Sequence, residues 1–262
     1  MVSHAKACLA VTNGMKIVSM FVAFFTICTT AYIAGCLMVS VVGIMKSPFA
    51  SSELCTPSSA YVPGVGFSGF WYTIGALQSI QALHEMDFFC YSAGCLAVTV
   101  ALSNRTITDV SDIAFGLQQR WRSNNISRWD IVEHFVDDIL KNDSLQVLHQ
   151  NVDANLLERM NVLTTTKEGS MSVRKAQNIS DLKDLLIQTT WIPFATGWGL
   201  SKDGHLDGGF SSFVHPICGA HFALPMKLAV FVNVLNPALN QKQVEQLWRS
   251  GVGNSVQENC RA

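Results

Sequence analysis

The chain has 262 residues, a formal net charge of -1, 14% charged residues and 49% hydrophobic residues. Charge this sparse, against a usual ~25%, excludes a disordered chain, which needs low hydrophobicity and high net charge. The near-neutral balance gives no broad basic field, so nucleic acid is not expected as the main partner, and no internal period marks a repeat protein.

Residues 17–45 hold no charge, with Lys16 and Lys46 at the ends of the run. A bilayer core takes ~20 apolar residues in a helix, and a signal-peptide core only ~7–15. The reading is one uncleaved transmembrane helix, with a tail and span over residues 1–46. A removed presequence and a buried core helix are the alternatives. Lys6 and Lys16 precede the run, and after Lys46 the next basic residue is Arg105. The positive-inside rule then places the N-terminus in the cytoplasm and the following domain across the membrane. Four sequons, at Asn104, Asn125, Asn142 and Asn178, all follow the span and fit glycosylation there. Five cysteines (Cys55, Cys90, Cys95, Cys218 and Cys260) also follow it, in no zinc pattern. They read as buried thiols, with one disulfide open to an oxidising lumen.

Residues 47–60 are rich in Ser and Pro and read as a linker, and residues 61–262 read as one domain. Residues 60–62 predict a strand running into Gly64. Residues 70–85 predict a helix, 88–91 a buried strand, and 93–102 a helix apolar on every side. Amphipathic helices are expected over 109–122 and 127–142, the second opened by a capping-box-like Ser127 and Asp130. A further helix is expected over 145–159, a strand pair over 162–166 and 170–174, a helix over 180–189, a buried strand over 228–234 and a final helix over 241–249. Strands alternating with helices argue for an α/β fold, its mostly parallel sheet covered on both faces.

Three short segments carry chemistry. Gly64-Val65-Gly66-Phe67-Ser68-Gly69 sits between a strand and a helix. Glycines there let backbone N–H groups converge, and the helix N-terminus adds positive potential, which suits a phosphate or an oxyanion. Dinucleotide binding also needs an acidic residue ending the next strand; Asp87 lies at the right distance but precedes that strand. Cys90-Tyr91-Ser92-Ala93-Gly94 runs from strand into helix, the setting of a nucleophile elbow, with a helix-capping serine as the plainer reading. Asp207-Gly208-Gly209 puts a carboxylate before two glycines, alone no more than a turn. No paired carboxylate or histidine cluster has the spacing of a metal site, and no cofactor is expected.

In this order the three segments resemble the patatin-like phospholipase family, and the animal lipid-droplet acylhydrolases within it. The resemblance runs from about Tyr61 to Pro216, through the glycine loop with Tyr72, Gly75 and Leu77, the serine segment Tyr91-Ser92-Ala93-Gly94, and Thr190-Trp191-Ile192-Pro193-Phe194 followed by Asp207-Gly208-Gly209. It implies a three-layer α/β/α sandwich and a Ser–Asp dyad without histidine. Ser92 would be the nucleophile and Asp207 its base, with N–H groups of Val65, Gly66 and Phe67 binding the oxyanion. Gly64, Gly66, Gly69, Gly94, Gly208 and Gly209 would be the motif glycines. The substrate class would be lipid esters, with water or another alcohol accepting the acyl group, at an endomembrane or lipid-droplet surface. Animal relatives often work on the cytosolic side, which conflicts with the positive-inside reading. Two positions depart from the pattern: Cys90 stands for the first elbow glycine, and Ser68 stands where plant and bacterial members often carry a basic residue. Cys90 motivates the competing reading, a silent lipid-binding or scaffold protein on the same fold. His215 and His221 follow Asp207, so a Ser–Asp–His order is formally available, with little chain between them for the usual intervening strand.

Overall fold

The computed structural model describes residues 59–64, 66–80, 82–103, 105–141, 156–212, 220–221 and 238–253. The chain divides into two compact units, Met1–Pro48 and Phe49–Ala262, and every described residue belongs to the second. The apolar run over 17–45 lies outside the described residues, as do residues 47–58, Val65, Asn104, Asn142, His215 and the strand expected over 228–234. Among the described residues no helix is long and apolar enough to cross a membrane.

The architecture is α/β. In chain order the main elements are β1 (Ser59–Val62), α1 (Gly66–Gln78), β2 (Asp87–Cys90), α2 (Ala93–Leu102), α3 (Ile107–Arg122), α4 (Ile131–Leu140), β3 (Met160–Thr166), β4 (Met171–Arg174), α5 (Ile179–Thr189), β5 (His205–Asp207), the short α6 (Gly209–Ser212), β6 (Ala220–His221) and α7 (Gln241–Val252). They form one mixed, mostly parallel sheet in the order β4-β3-β2-β1-β6, with β5 also on β3. The β6–β1, β1–β2 and β2–β3 pairs are parallel, and β3–β4 and β3–β5 are antiparallel.

Strand alternation sorts the core into two faces. Ala60, Val62, Phe88, Cys90, Met160 and Val162 join one large apolar cluster with side chains of α1 to α5 and α7. Tyr61, Phe89, Tyr91 and Leu163 form a smaller cluster on the opposite face, flanked by Met171 and Val173. All ten residues of α2 are buried, which explains why its sequence shows no polar face.

Several boundaries differ from the sequence expectation, each for a local reason. Helix α1 starts at Gly66, inside the glycine loop, where glycine permits the φ of 56° that turns the chain into the helix. It ends at Gln78, where the Ser79 hydroxyl donates to the Ala76 carbonyl, and Leu83–Glu85 forms a separate 3-10 turn. Ser127 does cap, but its hydroxyl accepts from Trp129 N–H and opens a 3-10 turn, so α4 begins only at Ile131. Reciprocal capping boxes sit at Thr106 with Asp109, opening α3, and at Asn240 with Gln243, opening α7. Of the helix expected over 145–159, residues 156–159 are described and are helical.

Helices α1 and α7 pack through two glycines. A Cβ on Gly75 would lie 2.1 Å from the Trp248 carbonyl oxygen, and one on Gly251 would lie 2.0 Å from that of Tyr72. Neither position has room for a side chain, so the C-terminal helix is held backbone against backbone.

Candidate active site

The serine segment forms a tight strand-to-helix junction. Strand β2 ends at Cys90, registered between Val62 of β1 and Val162 of β3. Tyr91 N–H still bonds the Val62 carbonyl at 3.4 Å, and Gly94 N–H then bonds the Tyr91 carbonyl at 3.0 Å. Between them Ser92 takes φ 53° and ψ -138°. That pair is close to a region that only glycine adopts readily, and it costs a side-chain-bearing residue of order 1–3 kcal/mol. The Ser92 side chain makes no capping hydrogen bond to α2, so the helix-cap reading does not describe it. Gly94 is needed as glycine, since a Cβ there would lie 2.4 Å from the Val62 carbonyl oxygen.

Asp207 reaches this junction through the sheet. Thr164 of β3 pairs with Ser172 of β4 on one edge and with Asp207 of β5 on the other. The second edge is the one that β2 occupies earlier, where Cys90 faces Val162. Strand β5 therefore continues the line of β2 along β3, and Asp207 arrives two residues beyond Val162, level with Ser92. The aspartate is not at an open loop tip, as its two glycines suggest, but ends a strand and is 4% exposed. Its N–H bonds the Trp191 carbonyl at 2.8 Å, and its carbonyl accepts from Thr165 Oγ1 at 2.9 Å.

The carboxyl group has two unlike oxygens. Oδ1 accepts from Gly209 N–H at 2.7 Å. Oδ2 is buried and has no partner at full hydrogen-bond geometry. Burial pushes the Asp207 pKa up to about 6, opposed by hydrogen bonding to the Ser92 side chain and to the Gly209 backbone. The serine hydroxyl thus acts on this carboxyl without closing a well-formed bond to Oδ2, a geometry that commonly tightens only with substrate bound. Burial also holds the neighbouring Tyr91 and Tyr61 phenols well above their ordinary range. Both therefore stay neutral, and Asp207 is the ionisable group beside the serine.

The glycine loop closes over the same point. A Cβ on Gly64 would lie 2.3 Å from Ser92 Cβ and 3.0 Å from its Oγ. Gly66 and Phe67 line an apolar cleft of about 90 Å³ together with Ser92. Its walls include Phe70, Leu96, Leu117, Val132, Phe135 and Ile192. Of the expected oxyanion donors, Gly66 and Phe67 are at the cleft and Val65 lies outside the described residues. Gly69 is buried within α1. Gly208 packs where a Cβ would meet the Leu163 carbonyl oxygen at 2.2 Å and Tyr91 Cβ at 2.5 Å.

Three features were not anticipated from the sequence. Thr189 Oγ1, at the end of α5, accepts from Ser92 N–H at 3.0 Å and donates to the Leu163 carbonyl. Its own carbonyl accepts from Gly208 N–H at 3.3 Å, so Thr189 ties the serine junction to the strand bearing Asp207. His205 lies two residues before Asp207 but bonds Thr164 Oγ1 at 3.0 Å through Nδ1, and burial, then Arg174, lowers its pKa. Cys90 and Cys95 form a disulfide with Cα atoms 4.9 Å apart, a pairing that the sequence, read as buried thiols with one disulfide open, does not specify. Among the described residues no group of three or more His, Cys, Asp or Glu side chains is arranged to hold a metal ion.

No family model, no curated protein and no solved structure matches the chain.

Proposed function

We propose that the chain is a serine acylhydrolase of the patatin-like type, on a three-layer α/β/α sandwich, acting on ester-linked lipids. One observation carries this reading: Ser92 occupies a backbone conformation fit for glycine, beside a buried aspartate with an unpartnered oxygen. Serine alone is a weak nucleophile and needs an adjacent base. Asp207 takes the Ser92 proton as Oγ attacks the ester carbonyl carbon. N–H groups of the glycine loop, with Gly66 and Phe67 at the cleft, stabilise the oxyanion. The ester C–O bond then breaks and Asp207 returns the proton to the departing alcohol. Water, deprotonated by the same carboxylate, attacks the acyl-serine and releases the fatty acid; another alcohol in its place makes the reaction a transacylation.

The apolar walls of the cleft suit an acyl chain. Ile192 and Thr196 of these walls belong to the loop that exposes Phe194, Trp198 and Leu200, which suits work at a lipid surface. In this reading residues 17–45 tether the domain as a single-pass anchor, in the endomembrane system or on a lipid droplet.

The test is hydrolysis of long-chain glycerol and phospholipid esters by the purified protein, with Ser92→Ala and Asp207→Asn as controls. Turnover that persists in both variants ends the assignment. The competing reading, a silent lipid-binding protein, rests on Cys90; labelling of Ser92 by a fluorophosphonate separates the two, since a silent site does not react.

A further inference from the structure

The Cys90–Cys95 disulfide encircles Ser92. Cys90 is the last residue of β2 and Cys95 lies in the first turn of α2, so the covalent ring contains Tyr91, Ser92, Ala93 and Gly94. They are the two cysteines of the described residues, and both are fully buried in the large apolar cluster. Cys90 is fixed by pairing with β1 on one side and β3 on the other. The helix end of the ring has no such ladder. Beyond the sulfur bridge it is tied by backbone bonds such as Gly94 N–H to Tyr91 and Cys95 N–H to Ser92, both 3.0 Å.

We infer that this disulfide is a positioning crosslink for the nucleophile, which makes Ser92 reactivity depend on the oxidation state of the pair. The inference rests on the reading of Ser92 as nucleophile. The physical argument is mechanical. A serine at φ 53° relaxes toward ordinary backbone angles if α2 shifts against the sheet, and the crosslink joins the two elements whose shift allows that relaxation. The usual elbow glycine relieves crowding at this position by having no side chain. Here the side chain is present, turned into the core and spent on the bond. The bond forms by thiol–disulfide exchange: two thiols lose two protons and two electrons to a disulfide oxidant such as oxidised glutathione, which leaves as two thiols. A dithiol or phosphine reductant reverses it. The crosslink also accounts for Cys90 without a silent site, and of the two proposed locations it favours an oxidising endomembrane lumen over a cytosol-facing lipid droplet.

The experiment uses the full chain purified without reductant. Peptide mapping under non-reducing conditions is expected to find Cys90 and Cys95 joined. Fluorophosphonate titration then counts reactive Ser92, and turnover of a short soluble ester is expressed per titrated site. Cys90→Ala/Cys95→Ala is expected to lower kcat per site about tenfold or more with KM little changed, and to slow fluorophosphonate labelling by a similar factor. A merely structural bond lowers the thermal midpoint and the titrated fraction but leaves kcat per site alone. Should the double variant not fold, phosphine reduction of the wild-type protein and reoxidation with glutathione disulfide supply the second measurement, with turnover expected to fall and recover. Free thiols in the active enzyme overturn the inference, as does a wild-type kcat per site in the double variant or the reduced protein. Wild-type protein that is crosslinked but neither labels nor turns over overturns the acylhydrolase reading itself, and the positioning role with it.

Discussion

Two junctions of the sheet invite comparison. In each, a parallel strand ends and a helix begins within a few residues, β1 into α1 and β2 into α2. In each, one residue takes a φ that side-chain-bearing residues avoid: Gly66 at 56° and Ser92 at 53°. The first junction meets the requirement with glycine, at little steric cost. The second meets it with serine, and holds it by the Thr189 hydroxyl, by close contact with Gly64 and by a disulfide. Asn124, Phe194 and Asp203 also have positive φ; Asn and Asp tolerate it, and Phe194 takes it on an exposed loop, so positive φ alone does not single out Ser92. A strained serine held from several sides beside a buried carboxylate indicates that the side chain is required there. In the proposed acylhydrolase the glycine junction supplies backbone and the serine junction supplies the nucleophile.

Making the second junction like the first has the largest expected effect. Ser92→Gly should lower ester turnover by ~10⁴-fold or more, on the scale of nucleophile removal in serine hydrolases. It should also raise stability by roughly 1 kcal/mol, through relief of the strained φ. Turnover and a urea midpoint on the same preparations check both. A glycine variant less stable than wild type means that the serine side chain, rather than its surroundings, maintains the elbow, and the contrast between the junctions fails.

Asp207 distinguishes the second junction chemically. Its pKa in the folded protein is about 6 against an ordinary 3.8, so the folded state holds this proton more tightly than the unfolded chain does. Stability from this group is therefore full below about pH 4 and falls as pH rises toward 6, leaving a cost on the order of 3 kcal/mol at neutral pH. Asp207→Asn should lower turnover by roughly 10⁴-fold and raise the thermal midpoint at pH 7, with less gain at pH 4. As the proposed base, Asp207 must be ionised, so kcat/KM of the wild type should rise with pH through an apparent pKa near 6. A profile flat from pH 5 to 7 counts against this carboxylate as the base.

Crowding the first junction tests whether it serves the second. In Gly64→Ala the new methyl group lies 2.3 Å from Ser92 Cβ, so one backbone must move. Turnover should fall about 10²-fold, in the range for loss of an oxyanion contact, with a destabilisation of roughly 1–3 kcal/mol. Fluorophosphonate labelling at an unchanged rate indicates that the loop yields and the serine does not.

These features were unequally legible in the sequence. Ser92 was visible because its signal is local: a short apolar strand, a small residue on each side of the turn and an uncharged helix. Gly66 was visible as a loop glycine but not as the first residue of α1, since φ does not show in composition. Asp207 stood out only beside the other two segments, and its strand did not stand out at all. His205-Leu206-Asp207 is too short for a pattern, and its pairing is supplied by β3, some forty residues earlier in the chain. The parallel core strands and α2 follow from apolar runs, whereas the Cys90–Cys95 bridge depends on the angle between a strand end and a helix start, which spacing does not set. Thr189 left no trace, because its bond to Ser92 spans 97 residues.

That bond supplies the smallest of these tests. Thr189→Val keeps the shape and removes a hydroxyl that both accepts from Ser92 N–H and donates to the Leu163 carbonyl. Two buried backbone groups lose a partner, at about 1–3 kcal/mol for each group left unsatisfied. Turnover should fall about tenfold, with KM for a soluble ester unchanged, because the elbow loosens while the cleft walls stay in place. Thr189→Ser restores the hydroxyl without the methyl group and should recover most of kcat at a small cost in stability. If valine is as active as serine at this position, Ser92 N–H does not need its partner to stay in register. The elbow would then be held by its glycine contacts and crosslink alone.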